Sequence, residues 1–401
     1  MEVVVFDLVP YAEHIYEGRE MPWPLPRRDF DPAAAVRTYR EHLDAWAELD
    51  RLGFDGVGFN EHHTSPYGMM TSPNLLAAAA IQRTQRLRLF ICGNLLPLHE
   101  PLRLAEELAM LDCLSDGRIV SGLARGIPRE HEVYGVQIPE SRARFEEAWE
   151  IIRGLWTQEV FSYQGRFWSY RDVAIWPRPV QQPHPPIWVP VTSSKETIEW
   201  AGRHNAAITP GVLHRGLRED IISYYEMSLR AHGHRLTPDH ILLQVNAYVA
   251  DSKAQAVEEA GPYVLYFNQL FNHGNTHLGR EARLRVGYIS DQGLDYVRPE
   301  NRQAAERARP DVRGMTMADL ARQAEGWPWG SADEVAERII EEADHAGAGT
   351  VLVSLNRGAM PQEMFLNQIR RFAREVLPVL HAHRPSVAAW LTASDRHQRV
   401  E

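Results

Sequence analysis

The sequence has few cysteines and no stretch that is apolar enough to cross a membrane. Its 401 residues include only Cys92 and Cys113, which excludes a disulfide framework and lacks the spacing of a zinc site. No apolar run reaches the roughly 18 residues of a membrane span. The first ten residues contain an acidic Glu2 and no basic region, unlike a secretion signal. We therefore expect a cytoplasmic protein.

Basic residues are also fewer than acidic ones. The chain has 43 Lys and Arg and 53 Asp and Glu, which gives a net charge of −10. An acidic surface argues against nucleic acid or an anionic membrane as the main partner. Apolar residues make up 44% of the chain, which is ample for a large core. The length alone fits either one large barrel or two ordinary domains.

Short β-branched runs alternate with amphipathic helical patterns almost from end to end. We predict eight strands, at 3–6, 56–59, 87–92, 119–123, 187–191, 206–209, 243–249 and 350–354. Strands that alternate with helices imply a parallel sheet, and eight of them favour an α/β fold closed as a (β/α)8 TIM barrel. An open doubly wound sheet should carry Gly-x-Gly-x-x-Gly after its first strand. Residues 7–11 read Asp-Leu-Val-Pro-Tyr instead.

Two segments interrupt the alternation. Residues 160–176 have the pattern of a hairpin that turns at Gln164-Gly165, and a proline-rich connection follows at 177–186. Residues 268–320 are polar and read as irregular. We predict a single barrel over 1–385 with insertions at about 160–186 and 268–320, after strands four and seven, and a C-terminal tail at 386–401. The loops 10–29 and 268–320 are either lids or surface excursions.

In a barrel of this kind the active site lies at the carboxyl ends of the strands. Polar or small residues occupy those ends after strands two to five, at 60–63, 93–94, 124–126 and 192–194. Because these ends meet at one mouth, we expect a polar ring there. If these residues served only to fill the core, we would expect nothing but short turn residues at the strand ends.

The strand-two end carries His62 and His63 side by side. Adjacent residues on a strand point to opposite faces, so the pair is poorly spaced for one metal and we predict no metal site. His62 is then either a hydrogen-bonded structural residue or a general acid or base. We interpret Glu61 as a salt-bridge partner.

Ser194 and Thr197 lie at the start of a predicted helix. Such hydroxyls usually cap the helix, but a helix start at this end of a barrel also suits a phosphate group. Arg125, at the neighbouring strand end, can contact the same phosphate or form a surface ion pair. The two features together favour a phosphate site.

Several segments resemble the bacterial luciferase-like flavin monooxygenases. They are EHHT at 61–64, SDGR at 115–118, GLARG at 122–126, PPIWV at 185–189 and TIEWA at 197–201. The resemblance is dense over residues 1–200 and thin beyond. It implies reduced FMN (FMNH2) across the barrel mouth, supplied by a separate flavin reductase. Oxygen (O2) would form a flavin hydroperoxide that oxidises an organic small molecule, and a homodimer is expected.

The same resemblance assigns individual residues. His62 corresponds to the family's catalytic histidine, acting as acid or base. Gly93 and Asn94 fall where these barrels often hold a non-proline cis peptide under the flavin ring. Arg125, Ser194 and Thr197 fall on the phosphate-binding positions.

Two departures from luciferase itself argue against light emission and leave flavin binding intact. Ala124, beside the cofactor, stands where luciferase has a cysteine, and Glu130 is only a loose counterpart of its acidic residue. The alternative functions are a deazaflavin-dependent dehydrogenase of the same superfamily and a non-catalytic flavin-binding partner subunit. A metal-dependent hydrolase is disfavoured by the histidine spacing.

Overall fold

The computed structural model describes residues 1–14, 16, 22, 25–192, 194–211, 214–275, 293–307 and 315–387. Its strands are β1 Glu2–Asp7, β2 Gly56–Phe59, β3 Arg88–Leu95, β4 Ile119–Ala124, β5 Phe161–Gln164, β6 Ser169–Val173, β7 Ile187–Pro190, β8 Ala207–Thr209, β9 Leu242–Asn246, β10 Tyr248–Val249, β11 Trp329–Gly330 and β12 Thr350–Ser354. Its helices of more than one turn are α1 Pro32–Leu52, α2 Pro73–Ile81, α3 Pro101–Ser115, α4 Pro128–Tyr134, α5 Ser141–Thr157, α6 Lys195–Arg203, α7 Arg215–Ala231, α8 Lys253–Asn275, α9 Pro299–Arg307, α10 Met317–Ala324, α11 Ala332–Ala346, α12 Gln362–Glu375 and α13 Leu377–Ala382.

Eight of the strands form one parallel sheet in the order β8-β7-β4-β3-β2-β1-β12-β9. A bridge between Ile208 and Ile241 joins β8 to the residue before β9 and closes the circle. The predicted (β/α)8 barrel is confirmed.

The strands separate two apolar layers, one inside the barrel and one between the barrel and the helices, because successive side chains on a strand point to opposite sides. Val3 and Val5 of β1 belong to the large cluster between the strands and the surrounding helices. Val4 points the other way, into the barrel. There it packs with side chains from five other strands, namely Phe90, Val120, Trp188, Leu242 and Leu352.

Helix caps fix where several of the outer helices begin. The Asp31 carboxylate accepts hydrogen bonds from the backbone of Ala33 and Ala34 at the start of α1. Ser331 and Glu334 form the predicted capping box at the start of α11. These caps satisfy backbone N–H groups that the helix leaves without partners. They direct each helix back along the outside of the barrel.

The first insertion is a hairpin, as expected. Strands β5 and β6 pair antiparallel between β4 and β7. The hairpin follows α5 and lies along that helix, because its turn contacts the start of α5: Arg166 pairs with Glu140 at 2.8 Å and the Phe167 ring packs on Arg144.

The prediction that residues 268–320 are irregular is wrong where the structure describes them. They continue α8 and contain α9 and the first half of α10. Pro262 lies inside α8 and obscured its helical pattern. The predicted strand 243–249 is likewise divided into β9 and β10.

A second, smaller apolar cluster joins α8 and α10 to the parallel pair β10 and β11. Val264, Leu320 and the buried Trp329 belong to it, and Trp329 donates to the Asn246 carbonyl at 3.1 Å. Residues 276–292 and 308–314 of the insertion lie outside the described residues, as does most of the predicted tail from 388 onward. The division into a barrel and a tail stays a prediction. Among the described residues, no helix combines the length and apolar character of a membrane span.

Candidate functional site

A cavity of about 300 Å³ opens at the carboxyl ends of the barrel strands. Five of the seven residues that the sequence predicted for the site line it, namely His62, Ala124, Arg125, Ser194 and Thr197. Gly93 and Asn94 are buried beside it, since Gly93 lies against the Ala124 side chain and Asn94 is in register with Leu123. The structure therefore brings all seven into one region of the mouth.

His62 is held against a buried carboxylate. Its Nδ1 atom lies 3.0 Å from Glu130 Oε1, and the His62 side chain is 23% exposed while that of Glu130 is 2% exposed. A carboxylate at Nδ1 favours the tautomer in which Nδ1 carries the proton, so that Nε2 is an acceptor. The His62 ring also packs on Tyr67, with ring centroids 5.1 Å apart. The ring is thus fixed in orientation at the cavity wall.

Glu130 is a site residue that the sequence identified only loosely. Its other oxygen, Oε2, accepts from the Ile127 backbone at 2.8 Å, at the start of α4. Proline at the first helical position and glutamate at the third were a local signal for this capping role. Nothing in the local sequence indicated that the same carboxylate reaches His62, which is 68 residues away.

Glu61 is the salt-bridge partner that we expected. It accepts hydrogen bonds from His99 Nε2 at 2.9 Å, His63 Nε2 at 3.0 Å and the Leu95 backbone at 3.0 Å. Burial alone would raise the pKa of Glu61, but the hydrogen bonds from His63 and His99 outweigh it and lower that pKa to about 2. His62 and His63 thus bond to different carboxylates and do not converge on one point.

Across the cavity, basic and hydroxyl side chains meet at the first turn of α6. Arg142 Nη2 donates to Thr197 Oγ1 at 2.7 Å and to Ser194 Oγ at 3.1 Å. Ser194 also caps α6 by accepting from the Thr197 backbone at 3.4 Å, and its hydroxyl donates to Glu196 at 2.9 Å. Arg125 and Arg142 line the same cavity. We name Arg125, Arg142, Ser194 and Thr197 the phosphate corner.

Arg142 is a residue that the sequence analysis missed. It stands in the second position of α5, in the run Ser-Arg-Ala-Arg at 141–144. Basic residues at a helix start are common on protein surfaces, and Arg144, two residues further, stacks on Phe167 instead. Only the packing of α5 against α6 distinguishes the two arginines.

Several buried polar side chains near the cavity have no hydrogen-bond partner within the described part of the chain. They include the amides of Asn60 and Asn94, each with both polar atoms unmatched, the hydroxyl of Thr209 and the indole N–H of Trp188. Asn60 and Thr209 line the cavity itself. Because buried polar groups in proteins are nearly always hydrogen-bonded, these atoms are suited to a bound polar molecule.

The predicted cis peptide between Gly93 and Asn94 is wrong, because that bond is trans. Instead, the register between β3 and β4 shifts between Ile91 and Asn94, and Gly93 takes a φ of +117°. A β carbon at Gly93 would approach the Ala124 β carbon to 2.8 Å. A bulge with glycine at positive φ turns the chain here.

The described part of the loop after β1 packs on α8. The His14 ring stacks on Tyr266 with centroids 4.2 Å apart. Tyr16 is buried in a cluster whose other members are Leu8, Tyr67, Tyr266, Phe267 and Leu270. This part is therefore not a surface excursion. A lid role for the two loops stays a prediction.

Comparison with protein families and with known sequences gives one consistent assignment. Residues 15–349 match the model of the family described as luciferase-like monooxygenase. The oxygenase component of a flavin-dependent trigonelline monooxygenase from Acinetobacter baylyi is 29% identical over 267 residues, which cover 65% of this chain and 72% of that protein.

Solved structures show the same fold. The monooxygenase RslO1 from Streptomyces bottropensis superposes with a TM-score of 0.74 and 28% identity, over 94% of this chain and 99% of that chain. The oxygenating constituent of 3,6-diketocamphane monooxygenase from Pseudomonas putida, a type II Baeyer–Villiger enzyme in complex with FMN, has a TM-score of 0.70 and 18% identity, over 94% and 98% of the two chains.

Proposed function

The chain belongs to the luciferase-like monooxygenase family, a family of flavin-dependent oxidoreductases, and we propose that it is the oxygenase of a two-component system. In this proposal it binds FMNH2 delivered by a separate reductase and uses O2 to oxidise a small organic molecule. The observation that carries the proposal is the phosphate corner facing His62 across one cavity of about 300 Å³. A cavity of this size is within the range of small-molecule and cofactor sites.

The phosphate corner would hold the phosphate of FMN. Guanidinium groups form strong charge-assisted bonds with phosphate oxygens, and the N-terminus of α6 adds backbone N–H groups and a positive dipole end. Arg142 already donates to both hydroxyls that would share the phosphate. These hydrogen bonds fix the position of the Arg142 guanidinium beside both hydroxyls.

The unmatched amides of Asn60 and Asn94 would bond the polar edge of the flavin ring. An amide offers both a donor and an acceptor, which is what the ring's alternating carbonyl and nitrogen atoms require. Ala124, where luciferase has a cysteine, leaves room for the ring.

His62 is the group that we propose moves a proton. The bound reduced flavin would supply the electrons that activate O2. His62 Nε2 would accept or return the proton during oxidation of the substrate, while Glu130 stabilises the protonated ring through Nδ1. Apolar side chains such as Phe6 and Leu123 line the rest of the cavity and would exclude water.

The test is an anaerobic titration of the purified protein with FMNH2 and with reduced riboflavin, followed by mixing with oxygenated buffer. We expect FMNH2 to bind at least tenfold more tightly than reduced riboflavin, because only FMN carries the phosphate. We also expect the bound flavin to be reoxidised with kinetics different from those of free flavin. Failure to bind FMNH2 would contradict the proposal. Binding without any reaction with oxygen would favour the dehydrogenase alternative.

We further propose a homodimer in which α2 and α3 face the partner. Leu75 on α2 is 74% exposed, and Met110 and Leu114 on the neighbouring α3 are 49% and 53% exposed. Grouped exposed apolar side chains are typical of interfaces. Light scattering should give the mass of a dimer for the unchanged protein and of a monomer for Leu75→Glu. A dimer that persists in Leu75→Glu, Met110→Glu and their combination would exclude this face.

A further inference from the structure

Arg357 has no anionic partner among the residues that the structure describes. It follows β12 at the carboxyl end of the barrel, three residues after Ser354. No ion pair or hydrogen bond involves its guanidinium among the described residues, and its Nε atom is buried without a partner. Its charged group lies over the ring of Phe267 on α8, with Cζ 4.5 Å from the ring centroid.

The loop that carries Arg357 is held in place on both sides of it. The Asn356 side chain accepts from the Met360 backbone at 3.0 Å. The Gly358 carbonyl accepts from His14 Nε2 at 2.8 Å, and Gly358 itself has a φ of +96°. A β carbon at Gly358 would lie 1.9 Å from the Tyr263 carbonyl. The backbone at Arg357 is therefore set by α8 and by the loop after β1.

The buried Arg218 is matched by a carboxylate, since its side chain is only 6% exposed and pairs with Glu342. Arg298, whose side chain is 37% exposed, pairs with Asp220 at 2.6 Å. A guanidinium that is removed from water and lacks such a partner is energetically unfavourable. Burial lowers the pKa of Arg357 to about 10, with no acidic neighbour to offset it. The side chain is still protonated at neutral pH, so an anion would be strongly favoured beside it.

Aromatic side chains connect Arg357 to the candidate active site. Phe267 stacks on Phe271 and meets the edge of Tyr67, with centroids 5.7 Å and 6.0 Å apart. Tyr67 in turn packs on His62. We name His14, Tyr67, Phe267, Phe271 and Arg357 the aromatic corner. Phe6 packs against this cluster and also lines the cavity, so the two adjoin.

We propose that the substrate is an organic carboxylate with an aromatic or cyclic body, and that Arg357 binds its carboxylate while Phe271, which is 37% exposed, contacts the body. A guanidinium and a carboxylate match in a planar, two-bond geometry. This inference rests on the proposed function for the reaction but not for the anion site. It makes Arg357 a specificity residue at the mouth, on the side where Tyr67 meets His62.

The test compares naphthalene-2-carboxylate with its neutral carboxamide, which share one ring system and differ in charge. Both are titrated calorimetrically into the protein in the presence and absence of saturating FMN. We expect the carboxylate to bind at least tenfold more tightly than the amide. Arg357→Gln should reduce this ratio to about one, and Arg357→Lys should keep part of it. Thermal unfolding of each variant checks that it is folded.

Two further variants distinguish the contribution of Arg357 to carboxylate binding from that of other arginines. Arg142→Gln should lose FMN affinity but keep the preference for the carboxylate, and Arg370→Gln, whose guanidinium pairs with Glu48 on the outside, should change neither. The proposal is overturned if the unchanged protein does not prefer the carboxylate. It is also overturned if the preference survives in Arg357→Gln or disappears only in Arg142→Gln. If FMN does not bind while the preference still depends on Arg357, the anion site stands and the proposed function fails.

Discussion

The phosphate corner and the aromatic corner lie at the same barrel mouth but are assembled differently. In the phosphate corner, Arg142 donates hydrogen bonds to the hydroxyls of Ser194 and Thr197. These bonds fix the orientation of its guanidinium. In the aromatic corner, the Arg357 guanidinium lies over the Phe267 ring and pairs with no carboxylate in the described part of the chain. In the proposed function, the protein itself satisfies the polar groups of its cofactor site and leaves those of its substrate site to a ligand.

The largest expected effect is that of His62→Ala, which removes the group between the two corners. Loss of a general acid or base reduces the rate by about 10²- to 10⁴-fold. We expect substrate oxidation to fall by that factor, while FMN affinity and the carboxylate preference change less than about twofold. The yield of product per flavin oxidised measures the loss of substrate oxidation. His63→Gln is the matched control, because His63 bonds to Glu61 and not to Glu130. An unchanged yield in His62→Ala would remove His62 from the mechanism.

Gly358→Ala should disrupt the aromatic corner and spare the phosphate corner. The new β carbon would clash with the Tyr263 carbonyl, and the positive φ adds backbone strain. We expect unfolding free energy to fall by about 3 kcal/mol and the carboxylate preference to be lost, with FMN affinity retained. Gly135→Ala is the control, since Gly135 has a φ of +69° but nothing within 4 Å. Equal losses of stability in the two variants would show that the contact with α8 is unimportant.

Arg142→Met should disrupt the phosphate corner and spare the aromatic corner. We expect FMN affinity to fall by about 10- to 100-fold, as for the loss of charge-assisted hydrogen bonds, while riboflavin affinity changes less than about twofold. Fluorescence titration with both flavins measures this. Arg144→Met is the control from the same helix turn, because Arg144 stacks on Phe167. Equal losses for the two flavins would exclude a phosphate role for Arg142.

The smallest effect concerns acid stability on the phosphate side. Burial, and secondarily the charge of Arg125, lower the pKa of His131 to about 4. Between pH 6.5 and 4 the unfolded chain therefore binds a proton that the native state does not, so native stability falls as the pH falls. We expect a loss of about 2 kcal/mol from this histidine between pH 7 and 5, measured by urea unfolding. His131→Gln should have a shallower dependence on pH, and an unchanged slope would contradict this origin.

The alternation of strands and helices, and the residues at the strand ends, could be predicted from the sequence. Because the carboxyl ends of parallel strands in a barrel all meet at one mouth, local patterns were enough to bring His62, Arg125, Ser194 and Thr197 together. Helix α8 was missed because Pro262 interrupts its pattern. The expected cis bond was wrong because a glycine bulge turns the chain at Gly93 instead.

Only the tertiary structure decided which side chains contact one another across the chain. Glu130 meets His62 across 68 residues, Arg142 meets Thr197 across 55, and His14 meets Gly358 across 344. Local propensity sets where a helix or strand begins, but it carries no information on which helix packs beside which. The sequence by itself therefore determined the barrel and the residues around its mouth. The packing of α5 on α6, and of α8 on the loops after β1 and β12, decided which groups surround Arg142 and which surround Arg357.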